Sequence, residues 1–481
     1  MELVTKKAMK CIQEADVIVY DNLIDISLLN YASLNTELIY AGKEAANHYL
    51  SQGSIIELLM DKAREGKYVV RLKGGDPYLF GRGSEEALAL KEAGISYEIV
   101  SGVTSSIAVP AYAGIPVTDR RFVSSCHIIT AHREDEAGID FENISKLEGT
   151  LVFMMGLAKL HHIVQGLTLH SKASDTPVAV LSDGSRYNRR KCVGTLADIE
   201  EKVKEAKLLP PAIIVVGEVV SLSNELDNFL ERYSDKKLFR KKILLTGTRY
   251  ICNKIKVALA DEGCDIDEIS IIESVPIESD FYNNIEKYIE SHDYLVFSSA
   301  NGIRVFFEKL KELHNVDLRK LSNIKFAVIG KGSAQTLRNY GYIADFVPSS
   351  FSNKDLAVEL CKQLKGEKLL LLRAREASAE LVEELEANKV EYTDVPLYET
   401  FRDYRRTFDI KRLIKNYDYV VVASSITAHT LCEMVEDKAL LEGRVVSIGP
   451  VTTGTCKRLG VEPLMSAREY SVDGIVRALL Q

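Results

Sequence analysis

A strand that has to stop at a pair of glycines constrains this chain more than any other feature. From Arg71 to Gly83 the sequence reads RLKGGDPYLFGRG, directly after Tyr68-Val69-Val70, a run of the β-branched and aromatic residues that build buried strands. Gly74 and Gly75 break that strand, and without Cβ atoms they let a ligand approach the backbone. Asp76 offers an acceptor to a ribose hydroxyl or an amino group, and Pro77 stiffens the turn. Gly81 and Gly83 free the chain to enter a helix near Ser84. An ordinary strand-to-helix turn could carry the same GGDP. In open α/β sheets, however, ligands gather at such strand ends.

The rest of the chain alternates in the same way, which predicts α/β architecture. Strands are expected at Val17–Tyr20, Tyr68–Leu72, Tyr97–Val100, His127–Thr130, Leu151–Met154, Val178–Leu181 and Ala212–Val216, with helices at Ile55–Glu65, Ser84–Ala93 and Leu196–Ala206. Asn224–Arg232 reads as helical, and the polar stretch Tyr233–Lys242 as a break, which places a boundary near Lys236. Beyond it strands recur at Ile243–Thr246, Tyr294–Phe297, Phe326–Ile329, Leu369–Leu372, Tyr419–Ala423 and Val445–Ile448. A chain of 481 residues holds two or three domains. The reading is therefore two successive α/β units, 1–235 and 236–481, separable at the polar break.

Several function classes are disfavoured. No uninterrupted apolar run reaches the roughly 20 residues that span a bilayer, and the amphipathic start from Met1 to Ala15 lacks the layout of a signal peptide; a cytoplasmic location and no membrane partner are expected. Eight scattered cysteines with no CxxC pair argue for reduced thiols and no metal site. A net charge of -8 disfavours nucleic acid as a partner.

The thirteen residues from Arg71 to Gly83 resemble the adenosylmethionine-binding loop of the tetrapyrrole methyltransferases, most closely the uroporphyrinogen III C-methyltransferases. Other turns match in order: VYDNLI, IYAGK, SGVTSS, YAGIPVTDR and VFMMGL. Ser101 stands where the family usually has proline. The resemblance implies S-adenosyl-L-methionine as cofactor, contacted by Gly74, Gly75, Asp76, Leu79, Thr104, Ser105, Met155 and Gly184. It places Asp21 as proton acceptor and Lys43 in an acid or substrate-contact role, although Asp21 alone would also read as the N-cap of a helix starting at Asn22. The eight carboxylates of uroporphyrinogen require cations, for which Arg71, Lys73, Arg82, Arg120 and Arg121 are candidates, at least two of them expected to point elsewhere.

Residues Lys241–Gln481 resemble uroporphyrinogen III synthase through VFSSANGI, AVIGKGSAQTL, VPLYET, ASSITAHTL, SIGPVTTGT and YSVDGIV. The GKGSA turn imitates a dinucleotide fingerprint but lacks its third glycine and the acidic residue on the next strand. It reads better as a carboxylate site at a helix N-terminus. The resemblance implies two flavodoxin-like subdomains, the first built from segments before about Glu273 and after about Phe401, and a reaction without cofactor. Tyr398 in VPLYET is the candidate acid, with Ser299, Ser333, Ser424, Thr427 and Thr452 as substrate contacts.

Together these imply a bifunctional enzyme that cyclises hydroxymethylbilane to uroporphyrinogen III and methylates it to precorrin-2, dimeric through its methyltransferase half. Methylation of RNA or of a diphthamide precursor, and a degenerate N-terminal docking module, are the alternatives. One expectation concerns the start. The family opens with a strand and a GxGPGDP loop, whereas Met1 to Ala8 begins at the helix that follows them, so either the true start lies upstream or the methyltransferase half is truncated.

Overall fold

The computed structural model describes residues 2–42, 50–132, 138–313, 317–350 and 352–481. The strand feeding the glycine turn belongs to a small parallel sheet of β1 (Val17–Tyr20), β2 (Glu37–Tyr40) and β3 (Val69–Leu72), ordered β2-β1-β3. β1 is central and buried throughout, as a strand covered on both faces must be. The helix Gln52–Arg64 packs Ile55 and Leu59 against Val17 and Val19. Tyr97–Val100, expected as a strand, pairs with nothing among the described residues. An extended run needs a neighbour to take its ladder hydrogen bonds, and among the described strands β3 is bonded to β1 alone.

A second sheet holds β4 (Cys126–Thr130), β5 (Thr150–Met154), β6 (Pro177–Ser182), β7 (Arg190–Thr195) and β8 (Ala212–Val216), ordered β4-β5-β8-β6-β7. Only β4 and β5 run parallel. The polar β7 escaped sequence reading because it is an edge strand whose ladder to β6 outweighs its composition. Side chains of β5, β6 and β8 fill a core on each face.

The expected helix Asn224–Arg232 is two short helices, Ser223–Leu226 and Phe229–Tyr233. Asp227 interrupts them, its Oδ1 accepting the Phe229 N–H at 3.1 Å. The stretch Tyr233–Lys242 is not simply a solvated break. Leu238 is buried with Ile243, Leu245 and Ile255, so apolar anchoring fixes what polar composition suggested was loose.

The chain then lays down β9 (Lys242–Leu245) and β10 (Asp265–Glu268) and passes at Ile269–Ser270 into a second compact unit. There it builds β11 (Ile272–Pro276), β12 (Tyr294–Phe297), β13 (Lys325–Val328), β14 (Leu369–Ala374) and β15 (Tyr392–Arg402). It returns at Tyr404–Arg405 and adds β16 (Tyr419–Val422), β17 (Val445–Ser447) and β18 (Met465–Ser466). The first unit thus comprises Met1–Ile269 and Arg405–Gln481, and the second Ser270–Tyr404. Residues on both sides of Lys236 lie in the first.

In the first unit the sheet β10-β9-β16-β17-β18 is wholly parallel, the flavodoxin-like order. In the second, the order is β11-β15-β14-β12-β13, with β11 antiparallel at the edge. β15 pairs in parallel with β14 and antiparallel with β11. Its Pro396 and acidic residues hid this strand from sequence reading, as did Asp265 and Glu268 for β10.

Candidate active sites

Asp21 follows the last residue of β1. Its Oδ1 accepts the Leu23 N–H at 3.0 Å, a local turn rather than a helix cap; Asp25 caps the short 3-10 helix Ile26–Tyr31 instead. Oδ2 accepts from Arg71 Nη2 at 3.2 Å, because the parallel register sets Arg71 of β3 beside Val19 of β1. Arg71 also donates to the Val19 and Leu72 carbonyls, and its Nε lies 3.5 Å from Glu86 Oε1. The same Glu86 oxygen accepts from Lys73 Nζ at 3.1 Å and Gln52 Nε2 at 3.0 Å. Two carboxylates and two cations therefore neutralise one another at the strand ends. Burial, with Arg71 nearby, pulls the Lys73 ammonium down, and Glu86 works against that.

Arg71 and Lys73 were expected to face substrate carboxylates; here they face Asp21 and Glu86. Low exposure is the reason, since a half-buried cation needs a close counter-charge. Glu86 was missed by sequence reading. Its signal was an acidic residue in the first turn of the helix Gly83–Glu92, after two basic strand-end residues. Arg82 pairs with Glu85 and Arg121 with Asp119, while Arg120 is exposed. Lys43 lies outside the described residues.

The expected cofactor turns interlock. Gly75 has φ +78°, and a Cβ on Gly102 would stand 2.3 Å from the Gly75 carbonyl oxygen, so the two turns touch only because both residues are glycine. Asp76 ties them, Oδ2 accepting from Gly102 N at 3.1 Å and Oδ1 from Tyr78 N at 2.9 Å. Gly74 and Gly75 themselves are exposed, and Leu79 is half-buried in the same turn. Thr104 precedes the helix Ser105–Tyr112, its Oγ1 3.2 Å from Ser106 Oγ. Gly184 packs on that helix so closely that a Cβ would meet Val109 Cγ1 at 2.2 Å. The Gly75 and Gly102 turns thus meet at the start of this helix, and the Gly184 turn packs on its side. Met155, just beyond β5, is half exposed with φ 55°, a left-handed conformation uncommon for a non-glycine residue.

In the second unit, the Tyr398 hydroxyl of β15 is 2.8 Å from Ser299 Oγ, and Ser299 caps the helix Ala300–Glu312 by accepting from Gly302 N at 3.0 Å. Burial raises the Tyr398 phenol. Ser333 is buried in the first turn of the helix Lys331–Asn339. In the first unit, Ser424 caps the helix Ser425–Met434, its Oγ 2.8 Å from Thr427 Oγ1. Thr452 is buried in the first turn of Pro450–Arg458, its Oγ1 without a hydrogen-bond partner among the described residues. The serine and threonine hydroxyls, unlike that of Tyr398, sit where a strand hands over to a helix, the position at which backbone N–H groups collect anions. No group of residues that could hold a metal ion occurs among the described residues.

Fold and sites define an α/β enzyme of two kinds, with a methyltransferase-type N-terminal part and a synthase-type C-terminal part. A family model described as tetrapyrrole (corrin/porphyrin) methylases matches residues 1–200, and one described as uroporphyrinogen-III synthase HemD matches residues 253–477. The porphyrin biosynthesis protein HemD of Ruminiclostridium josui is 34% identical over 486 residues, covering 100% of this chain and 95% of its own. The uroporphyrinogen-III C-methyltransferase of Methanocaldococcus jannaschii is 49% identical over 223 residues, 46% of this chain and 92% of its own. A crystal structure of uroporphyrin-III C-methyl transferase from Thermus thermophilus complexed with S-adenyl homocysteine is 33% identical with TM-score 0.40, covering 46% of this chain and 94% of that one. The chain belongs to the family of the HemD porphyrin biosynthesis protein, and is a bifunctional enzyme of tetrapyrrole biosynthesis, with C-methyltransferase and uroporphyrinogen III synthase parts. A degenerate N-terminal half finds no support.

Proposed function

We propose that the C-terminal half closes hydroxymethylbilane to uroporphyrinogen III and that the N-terminal half methylates this product with S-adenosyl-L-methionine, giving precorrin-2, the division between them lying near Lys236. The observation that carries the methyltransferase reading is the clasp of Gly75, Asp76 and Gly102 beside the Asp21–Arg71 pair. The glycine cradle leaves room that side chains would fill, and the N-terminus of Ser105–Tyr112 opens onto it. Adenosylmethionine, when bound, supplies an electrophilic methyl group.

The chain's own residues then position and deprotonate. Orientation of the pyrrole carbon can contribute roughly 7 to 11 kcal/mol. Asp21 takes the proton displaced from that carbon, and Arg71, 3.2 Å from its Oδ2, fixes its direction. The exposed Arg120, and Arg82 on leaving Glu85, receive acidic side chains of the macrocycle. In the synthase half Tyr398 donates its proton to the departing hydroxyl of the bilane. Ser299 holds the phenol in place, and Ser333 receives a substrate carboxylate at a helix N-terminus; Ser424, Thr427 and Thr452, in the first unit, offer hydroxyls of the same kind at theirs.

The test is incubation of the full chain with hydroxymethylbilane and adenosylmethionine, following macrocycle and methylated products separately. Type III macrocycle followed by methylated product is expected. Macrocycle without methylation would overturn the N-terminal reading, and methylation of supplied uroporphyrinogen III without cyclisation would overturn the C-terminal one.

A further inference from the structure

The strand ends around Asp21 are held by residues almost four hundred positions away. Tyr20, the last residue of β1 and fully buried, donates its hydroxyl to Asp409, at 3.0 Å from Oδ1 and 3.1 Å from Oδ2. Asp409, in the helix Thr407–Leu413, is itself buried and accepts from Arg406 Nε at 3.2 Å. Arg406 reaches on to Asn30 Oδ1 at 2.7 Å and the Ile26 carbonyl at 3.2 Å. Asn30 Nδ2 in turn donates to the Glu268 carbonyl at 2.8 Å, and Ser27 Oγ accepts from Glu268 N at 2.9 Å.

The neighbouring strand is gripped as well. Arg412 stacks over the ring of Tyr40, the last residue of β2, at 4.7 Å, and Phe408 packs on the same ring at 4.8 Å. Tyr40 meets Tyr20 edge to face at 5.6 Å.

Asp21 is therefore bracketed. Tyr20 before it and the segment Ile26–Asn30 after it are both fixed by residues 268 and 406–409 of the synthase half, while among the described residues the Asp21 side chain bonds Leu23 N and Arg71. A buried carboxylate that two guanidinium groups face, Arg406 and Arg412, is a fixed point to which a strand end can be pinned. We propose that Asp409 of the synthase half is a positioning residue for methyl transfer, holding Tyr20 and through it the Asp21 carboxylate in line with the substrate carbon. The proposal rests on the reading of Asp21 as proton acceptor.

The experiment uses the full chain with Tyr20→Phe, which removes one hydroxyl and keeps the ring against Tyr40. The expected result is a fall in kcat for methylation of supplied uroporphyrinogen III of about tenfold to a hundredfold, the loss that a displacement of about 1 Å produces. KM for adenosylmethionine and the rate of bilane cyclisation in the same preparation should stay within about twofold. Asp409→Asn keeps an acceptor for Tyr20 and should retain more methylation than Asp409→Leu. Unaltered methylation in Tyr20→Phe, or an equal fall in methylation and cyclisation, overturns the proposal while leaving the assignment of function intact. A wild-type chain that cyclises but transfers no methyl sinks both.

Discussion

The Tyr398 hydroxyl and Ser299 Oγ stand 2.8 Å apart, and Ser299 Oγ also accepts the Gly302 N–H. The pair joins the middle of a strand to the start of a helix, so the phenol has one fixed direction rather than a rotor's freedom. Tyr398→Phe is expected to slow formation of the type III macrocycle by about 100- to 10,000-fold, the usual contribution of a positioned acid. Methylation of supplied uroporphyrinogen III should be unchanged. An unaltered cyclisation rate in the variant would remove Tyr398 from the chemistry.

The same burial sets a pH dependence. Desolvation raises the Tyr398 phenol above the ordinary tyrosine value of about 10, so the native state holds this proton more tightly than the unfolded chain does. Its contribution to stability is complete below about pH 10 and is lost as pH rises through the folded value. Urea midpoints measured from pH 8 to 11 should fall more steeply for wild type than for Tyr398→Phe. Parallel curves would mean that the phenol is not the group responsible.

Asp21→Asn keeps the size of the side chain but loses the charge that Arg71 faces at 3.2 Å. Methylation should drop by about 100- to 10,000-fold with little change in the KM for adenosylmethionine. Cyclisation should persist. A variant that methylates normally would show that the proton leaves by another route.

At Gly102 the prediction is steric. An alanine there puts a carbon 2.3 Å from the Gly75 carbonyl oxygen, which must separate the two turns and break the Asp76–Gly102 hydrogen bond. Gly102→Ala should weaken adenosylmethionine binding, measured by calorimetry, by at least tenfold, or about 1.4 kcal/mol. Gly53→Ala is the control, since its new methyl would meet only Ser51 Oγ at an ordinary 3.7 Å. In the first turn of the helix Gln52–Arg64 it should change stability by less than about 1 kcal/mol and leave binding alone.

How much of this was legible beforehand differs by kind of residue. The buried central strands announce themselves through β-branched runs, and Val17–Tyr20, Ala212–Val216 and Tyr294–Phe297 fall where the sequence places them. Edge strands such as Arg190–Thr195 and the mixed-direction Tyr392–Arg402 do not, because their register comes from a partner and not from their own side chains. Motif spacing also located the turns at Gly75, Gly102 and Gly184. It could not say that Asp76 would be spent tying two turns together, or that Arg71 and Lys73 would find carboxylates inside the protein. Those pairings depend on Glu86 and on the register between β1 and β3, which are facts of three dimensions. The network around Asp409 was invisible for the same reason.

The two crossings of the chain, at Ile269–Ser270 and Tyr404–Arg405, dictate an order of assembly during synthesis. β11 and β15 pair near the two ends of the second unit, and Asp403 N bonds the Ile271 carbonyl at 2.9 Å, so that unit closes on itself as soon as its own residues have left the ribosome. The first unit cannot. β9 needs β16 beside it, and the hydroxyl of Tyr20, made near the very beginning, has no partner until Asp409 emerges. A nascent chain therefore carries a methyltransferase sheet whose strand ends stay unpinned until residues 406–412 are made. A cell that stalls translation before that point holds a folded insert flanked by an unfinished host.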